Sequence, residues 1–227
     1  MGIDYNNIIV SDGLVFFLDA ANTRSYSGSG TSSNSLVGGI GATLVNGVGF
    51  TSSNNGTFTF DGTNDYIAVS GNNFPLGNSP RTLNIWYYTN TSTWQTNINN
   101  LFWYGTAAVT RQSFGIDFDT YPMMEFYSWG DDLNWNTSAP QVGWKNFQIA
   151  YDGNLTLRIY ELGALVATKT FSAQLNTVLS TDVQIGAITY VPGYFDSNIS
   201  QVSMYNRALS ATEILQNYNA TKRRYGI

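Results

Sequence analysis

Apolar and polar positions alternate along the chain in short runs, and each run is closed by a cluster of Gly, Asn, Asp or Ser. Segments of strand composition fall at 14–18, 57–60, 66–69, 83–88, 101–104, 114–118, 123–127, 147–151, 155–160, 165–170, 183–188 and 199–205. Many short strands separated by turn residues predict an antiparallel sandwich. In Leu83-Asn84-Ile85-Trp86-Tyr87 and in Ile199-Ser200-Gln201-Val202-Ser203-Met204, alternate side chains must point to opposite faces, so one face of each strand can enter a core. Two sheets packed face to face satisfy that pattern. Asp61-Gly62, Asn46-Gly47, Asn55-Gly56 and Asp152-Gly153 supply turns, since Gly reaches the positive φ that tight connections need.

One segment changes period. Ser210-Ala211-Thr212-Glu213 reads as a capping box, in which the Ser and Glu side chains satisfy orphan backbone donors at a helix start. The helix is expected over 211–219, with Ile214, Leu215 and Tyr218 as the apolar stripe that docks it. A basic tail at 220–227 follows, where Lys222, Arg223 and Arg224 either oppose the helix macrodipole or meet a partner. Residues 26–41 are Ser/Gly-rich and read as a surface loop too short for a domain linker. The expectation is one all-β domain over 1–227.

Composition fits this picture and removes several function classes. Hydrophobic residues make up 43% of the 227 positions and aromatics 15%, while only 11% are charged, so the chain can bury a large core under a neutral, polar surface. The net charge is -5, and without the terminal basic run the body carries seven basic against fifteen acidic side chains. Such a body repels a phosphate backbone, so no nucleic-acid partner is expected. The chain has no Cys and no His, which excludes disulfides, thiolate metal sites, Ser-His-Asp triads and Cys-His pairs. No stretch has the apolar length of a membrane span, and the N-terminus carries an acid where an export signal would be positive, so neither membrane nor signal peptide is expected.

Residues 13–22, Gly13-Leu14-Val15-Phe16-Phe17-Leu18-Asp19-Ala20-Ala21-Asn22, and residues 58–67, Phe58-Thr59-Phe60-Asp61-Gly62-Thr63-Asn64-Asp65-Tyr66-Ile67, resemble the opening strands of laminin-G-like domains of the concanavalin A-like superfamily. Residues 199–214 resemble the final strand and helix of those domains, and residues 144–163 a middle piece, in the same order. The resemblance implies an antiparallel jelly-roll β-sandwich with one short C-terminal helix. Residues 215–226 are similar to the version found in structural proteins of tailed, particularly marine, bacteriophages. That similarity implies a virion-surface location, otherwise an extracellular one, with other virion proteins or further copies of the chain as partners in a homo-oligomer. The chain departs from the family at Ser33-Asn34-Ser35-Leu36-Val37-Gly38-Gly39, which replaces the usual Asp-x-Ser-Gly-Asn-Gly loop after the first strand, and at Gln201, where a Glu or Asp is common.

Candidate chemistry is sparse. Glu occurs only at 125, 161 and 213, none in the Glu-x-Asp-x-Glu pattern of the superfamily's glycosidases. Asp117-Phe118-Asp119 could place two carboxylates on one strand face, about 6.6 Å apart; a solvated outer face is the alternative, and no catalytic residue is assigned. Asp19, Asp61 and Asp65 are calcium candidates, because hard cations take carboxylate and carbonyl oxygens from turns, although Asp61 and Asp65 are also ordinary turn residues. The richest ligand-like segment is 127–136, where Tyr127, Trp129, Asp131, Asp132, Asn134 and Trp135 combine stacking rings with polar groups suited to a sugar. The same rings would serve a core or a subunit contact. Trp94, Trp103 and Tyr104 form a second aromatic group, with Trp103 expected in the core. The functions to separate are therefore a non-catalytic capsid decoration or tail-associated protein, a glycan-binding adhesin and a glycoside hydrolase.

Overall fold

The alternating segments become strands in the computed structural model, which describes residues 8–90, 99–118 and 120–227. Along the chain come β1 (Leu14–Asp19), β2 (Ser32–Asn34), β3 (Gly41–Val45), β4 (Gly49–Thr51), β5 (Thr57–Asp61) and β6 (Tyr66–Val69). The middle of the chain supplies β7 (Arg81–Thr89), β8 (Asn99–Gly105), β9 (Ser113–Phe118), β10 (Met123–Tyr127), β11 (Leu133–Asn136) and β12 (Gly143–Tyr151). The last third holds β13 (Thr156–Glu161), β14 (Ala164–Thr170), β15 (Val183–Ile185), β16 (Ala187–Ile188), β17 (Gly193–Tyr194), β18 (Asp196–Tyr205) and the helix α1 (Ala211–Thr221). Among the described residues no helix is long and apolar enough to cross a membrane.

The first sheet runs β14-β13-β12-β7-β18-β5-β4, and β1 lies on the same edge of β18 as β5, because β5 pairs with its first residues and β1 with its last. The second sheet runs β11-β10-β9-β8-β15-β6-β3-β2. All the pairings are antiparallel, and the chain passes between sheets at β5 to β6, β6 to β7 and β7 to β8, as an antiparallel jelly-roll sandwich requires. Alternation decides what fills the gap between the sheets. Leu83, Ile85 and Tyr87 of β7 meet Ile116, Phe118 and Phe126 from β9 and β10 in one buried cluster. Each such side chain contributes roughly 1.5–3 kcal/mol when removed from water.

Some elements differ from the expectation. The Ser/Gly-rich segment 26–41 contains β2, which pairs with β3. The run 183–188 is two strands, broken at Gly186, whose φ is +83° and where a Cβ would lie 2.6 Å from the Phe60 ring. Segment 133–136, the end of the ligand-like segment and outside the expected strands, is β11 and pairs with β10.

The outer face of the first sheet is covered. Ser210 caps α1, its hydroxyl accepting from the Glu213 N–H while the Glu213 carboxylate accepts from the Ser210 N–H. Arg207 donates to both Glu213 oxygens at 2.6 and 3.0 Å, and this pairing holds the Glu213 carboxyl down at about 2. Beneath the helix, Asn146 donates to Asn84, Asn84 to Ser203, and Gln148 to both Asn146 and the Ile214 carbonyl. The helix runs two residues past Asn219, and the expected basic tail is a further docked turn, Lys222–Tyr225. Tyr225 stacks on Trp86 at 4.0 Å, and the Trp86 indole N–H donates to Thr221. Arg224 pairs with Asp19 at 2.7 Å and donates to the carbonyls of Asn54 and Gly56. It therefore acts within the fold, clasping the C-terminal turn to β1.

Candidate functional site

The outer face of the second sheet carries polar and aromatic rows with no described helix above them. With Ile116, Phe118, Met124 and Phe126 turned inward, the residues between them must face out. Register then aligns Asn100 with Asp117, Asp117 with Glu125 and Glu125 with Asn134 in one row across four strands. The neighbouring row is Gln184, Trp103, Gly115 and Tyr127. Asn100 and Trp103 share this face although three positions apart, because β8 has a bulge between Asn100 and Phe102. Gly115 is where the two rings close over the backbone: a Cβ there would fall 2.9 Å from both Trp103 Cδ1 and Tyr127 Cε1. The Tyr127 hydroxyl donates to Asn100 Oδ1 at 3.3 Å. Burial, and then the charges of Asp117, Glu125 and Asp132, push its pKa up.

The hairpin loop between β10 and β11 builds the wall of the site. Asp132 accepts from the N–H groups of Ser128 at 2.7 Å and Gly130 at 3.0 Å, which folds the loop tightly enough to hold Trp129 at φ +68°. A positive φ is strained for so bulky a residue. Asp131 anchors the loop to its surroundings through Lys169 at 2.9 Å, Arg111 at 3.6 Å and the N–H and hydroxyl of Ser172. Burial raises the Asp131 pKa, but the hydrogen bonds from Lys169 and Ser172 outweigh this and set it at about 2. So fixed, the half-buried Trp129 ring leans on Tyr127 at 5.9 Å and meets the edge of Tyr190 at 5.6 Å. A pocket of about 210 Å³ opens here, lined by Asp117, Glu125, Tyr127, Trp129, Asp132, Ile188 and Val191. Tyr190, 62% exposed, also lines an adjoining hollow whose floor is Trp103.

Residues 61–215 match a laminin-G family described as the concanavalin A-like lectin/glucanases superfamily. The chain belongs to that superfamily. Solved structures resemble its fold over nearly its whole length. Domain 4 of AbnA, a GH43 extracellular arabinanase from Geobacillus stearothermophilus solved with arabinotriose, is 14% identical, with a TM-score of 0.67 and coverage of 90% of this chain and 98% of that one. The botulinum neurotoxin serotype G binding domain is 15% identical with a TM-score of 0.71, covering 90% of this chain but 50% of that one. A Trypanosoma rangeli sialidase in complex with sialic acid is 15% identical with a TM-score of 0.66, covering 93% of this chain and 33% of that one. Among curated proteins, none matches the sequence.

Within the superfamily sandwich, the six residues expected to bind a ligand divide. Tyr127, Trp129 and Asp132 line the pocket. Asn134 is exposed on the same face, opposite Glu125. Asp131 is spent on anchoring the loop. Trp135 points the other way: β11 alternation turns it inward, where it is 9% exposed and packs edge-on against Phe147 at 5.9 Å. Trp103 is buried as expected, yet it sits with Tyr127 and Ile188 on the outer face, whereas Tyr104 enters the inter-sheet core. Trp94 and Asp119 lie outside the described residues, and Asp117 instead meets Glu125 across the strands. Of the calcium candidates, Asp61 and Asp65 line one shallow hollow, and Asp19 stands apart from them. Asp61 pairs with Asp196 and Asp19 with Gln201, five positions apart on β18, or roughly 16 Å, and among the described residues no three acids are placed to hold a metal ion. Sequence reasoning missed Glu125 and Tyr190. Glu125 alternates with the apolar Met124 and Phe126, which marked it as outward-facing; Tyr190 precedes Val191-Pro192-Gly193, a turn that presents an aromatic ring to solvent.

Proposed function

We propose that the chain is a non-catalytic glycan-binding module of a virion surface, carried as a capsid decoration or tail-associated protein. One observation carries the binding role: a pocket sized for a single sugar ring, walled by the Tyr127 and Trp129 rings and edged by carboxylates, on a sheet face that no described helix covers. Aromatic faces take the apolar C–H face of a sugar, and the acids accept from its hydroxyls. Arabinotriose with the arabinanase domain and the toxin binding domains of the same fold support this reading. The virion placement is supported by the similarity of residues 215–226 to phage structural proteins. An adhesin that holds host polysaccharide would use the same pocket. A glycan array followed by titration calorimetry tests the role: wild type should retain a glycan, and Trp129→Ala should weaken it at least about tenfold. No glycan retained, or an unchanged affinity in the variant, defeats it. Mass spectrometry of purified particles tests the placement, and absence of the chain from them defeats it.

A second reading has its own observation. Asp117 and Glu125 are direct cross-strand neighbours, a placement with Cβ atoms about 4.5–5.5 Å apart that brings two carboxyls near the spacing of a retaining glycosidase. Release of reducing ends from the bound glycan, abolished in Glu125→Gln, would establish hydrolysis in place of binding alone.

A further inference from the structure

The pocket has a sign. Asp117, Glu125 and Asp132 line it, and none of the chain's ten Lys and Arg residues does. The cations that reach the neighbouring loop, Lys169 and Arg111, form their ion pairs with Asp131, which stands outside the lining, while Lys169 also donates to the Asp132 carbonyl at 2.9 Å. An anionic sugar is repelled by the three carboxylates of the lining, and a neutral one gains only stacking and hydrogen bonds. A protonated amine gains both the carboxylates and the electron-rich faces of Trp129 and Tyr127. Trp103, 2% exposed, lines the adjoining hollow and keeps a buried indole N–H with no partner among the described residues.

We infer that the pocket selects a glycan unit bearing a protonated amine, a 2-amino-2-deoxy sugar, over neutral and anionic units. This rests on the glycan-binding reading above and deepens it. The test is titration calorimetry at about pH 5.5, where carboxylates are ionised and the amine is charged, with a glucosamine tetramer, its N-acetylated counterpart, a neutral glucan tetramer and an anionic uronate tetramer. The glucosamine tetramer should bind roughly tenfold more tightly than the N-acetylated one, lose that advantage as salt is raised, and the uronate should not bind. Asp117→Asn and Glu125→Gln, each checked for an unchanged circular dichroism spectrum, should lower glucosamine affinity more than N-acetylglucosamine affinity. Equal affinity for the charged and N-acetylated tetramers overturns the selectivity while leaving glycan binding standing. Failure of all four sugars, with Trp129→Ala indistinguishable from wild type, overturns the glycan reading itself. Equal binding of a lysine tetramer shows that the pocket reads an amine without the sugar, and overturns the ligand class.

Discussion

On the first sheet the outward residues Asn84, Asn146, Gln148 and Ser203 lie under α1, hydrogen-bonded to one another and to the helix backbone. On the second, Asn100, Asp117, Glu125 and Asn134 make a row of similar polarity with no described helix over it. Both faces also carry tryptophan, Trp86 beneath Tyr225 on one and Trp129 beside Tyr190 on the other. Outward polarity and aromatic content are thus shared between a buttress and the proposed binding face. What separates them is the cover: a capped helix with its clasped C-terminal turn on one side, a strained hairpin loop at the rim of a pocket on the other.

The strongest way to break this comparison is Trp86→Ala. Trp86 is fully buried between the sheet and Tyr225, so its loss should cost about 3–5 kcal/mol in chemical denaturation while the folded fraction keeps its glycan affinity. A variant of unchanged stability would mean that the helical cover is dispensable. Gly115→Ala attacks the open face. Its Cβ would press on Trp103 and Tyr127, so a loss of about 1–3 kcal/mol should come together with weakened glycan binding; an unchanged melting temperature would contradict the close packing of those rings.

Acid should loosen the loop next. The folded-state pKa of Asp131, about 2, lies below the ordinary 3.8, so the unfolded chain takes up the proton first. The anchor's contribution, roughly 1–2 kcal/mol, is full above about pH 4 and is lost as the pH falls towards 2. Asp131→Asn should remove that step from a stability-against-pH curve. The smallest stability effect is expected for Trp129→Gly, which gives up a half-buried ring but relieves φ +68°; the net change should stay under about 1 kcal/mol while glycan affinity falls. A large loss of stability would move Trp129 from the site to the scaffold.

The architecture could be read from the chain because alternation and turn residues are local signals, and the Ser210–Glu213 box marked its helix as clearly as any contact could. The site was legible only where one strand sufficed. Tyr127 and Trp129 belong to a single segment, but the meeting of Asp117 with Glu125 depends on the register of two strands, which no local pattern states. Trp135 was misplaced because Leu133-Asn134-Trp135-Asn136 is already a period-two strand, hidden by its polar residues. Asp19 was misread as a cation ligand because its partner, Arg224, lies two hundred positions away in what looked like a free tail.

The pairing of β1 with β18 sets Leu14 opposite Tyr205, so the chain enters and leaves this ribbon at the same end. Tension applied across that end pulls along the ladder bonds, which lie perpendicular to the strands, and unzips them one rung at a time. Beyond the ribbon, the bond from the Val10 N–H to Asn217 and that from the Tyr205 hydroxyl to the Val10 carbonyl form the latch that must slip first. A load applied at the second sheet and resisted from one flank bypasses the zipper and crosses the core of the sandwich. The direction of pull, and with it the manner of tethering, then decides how long this domain holds on.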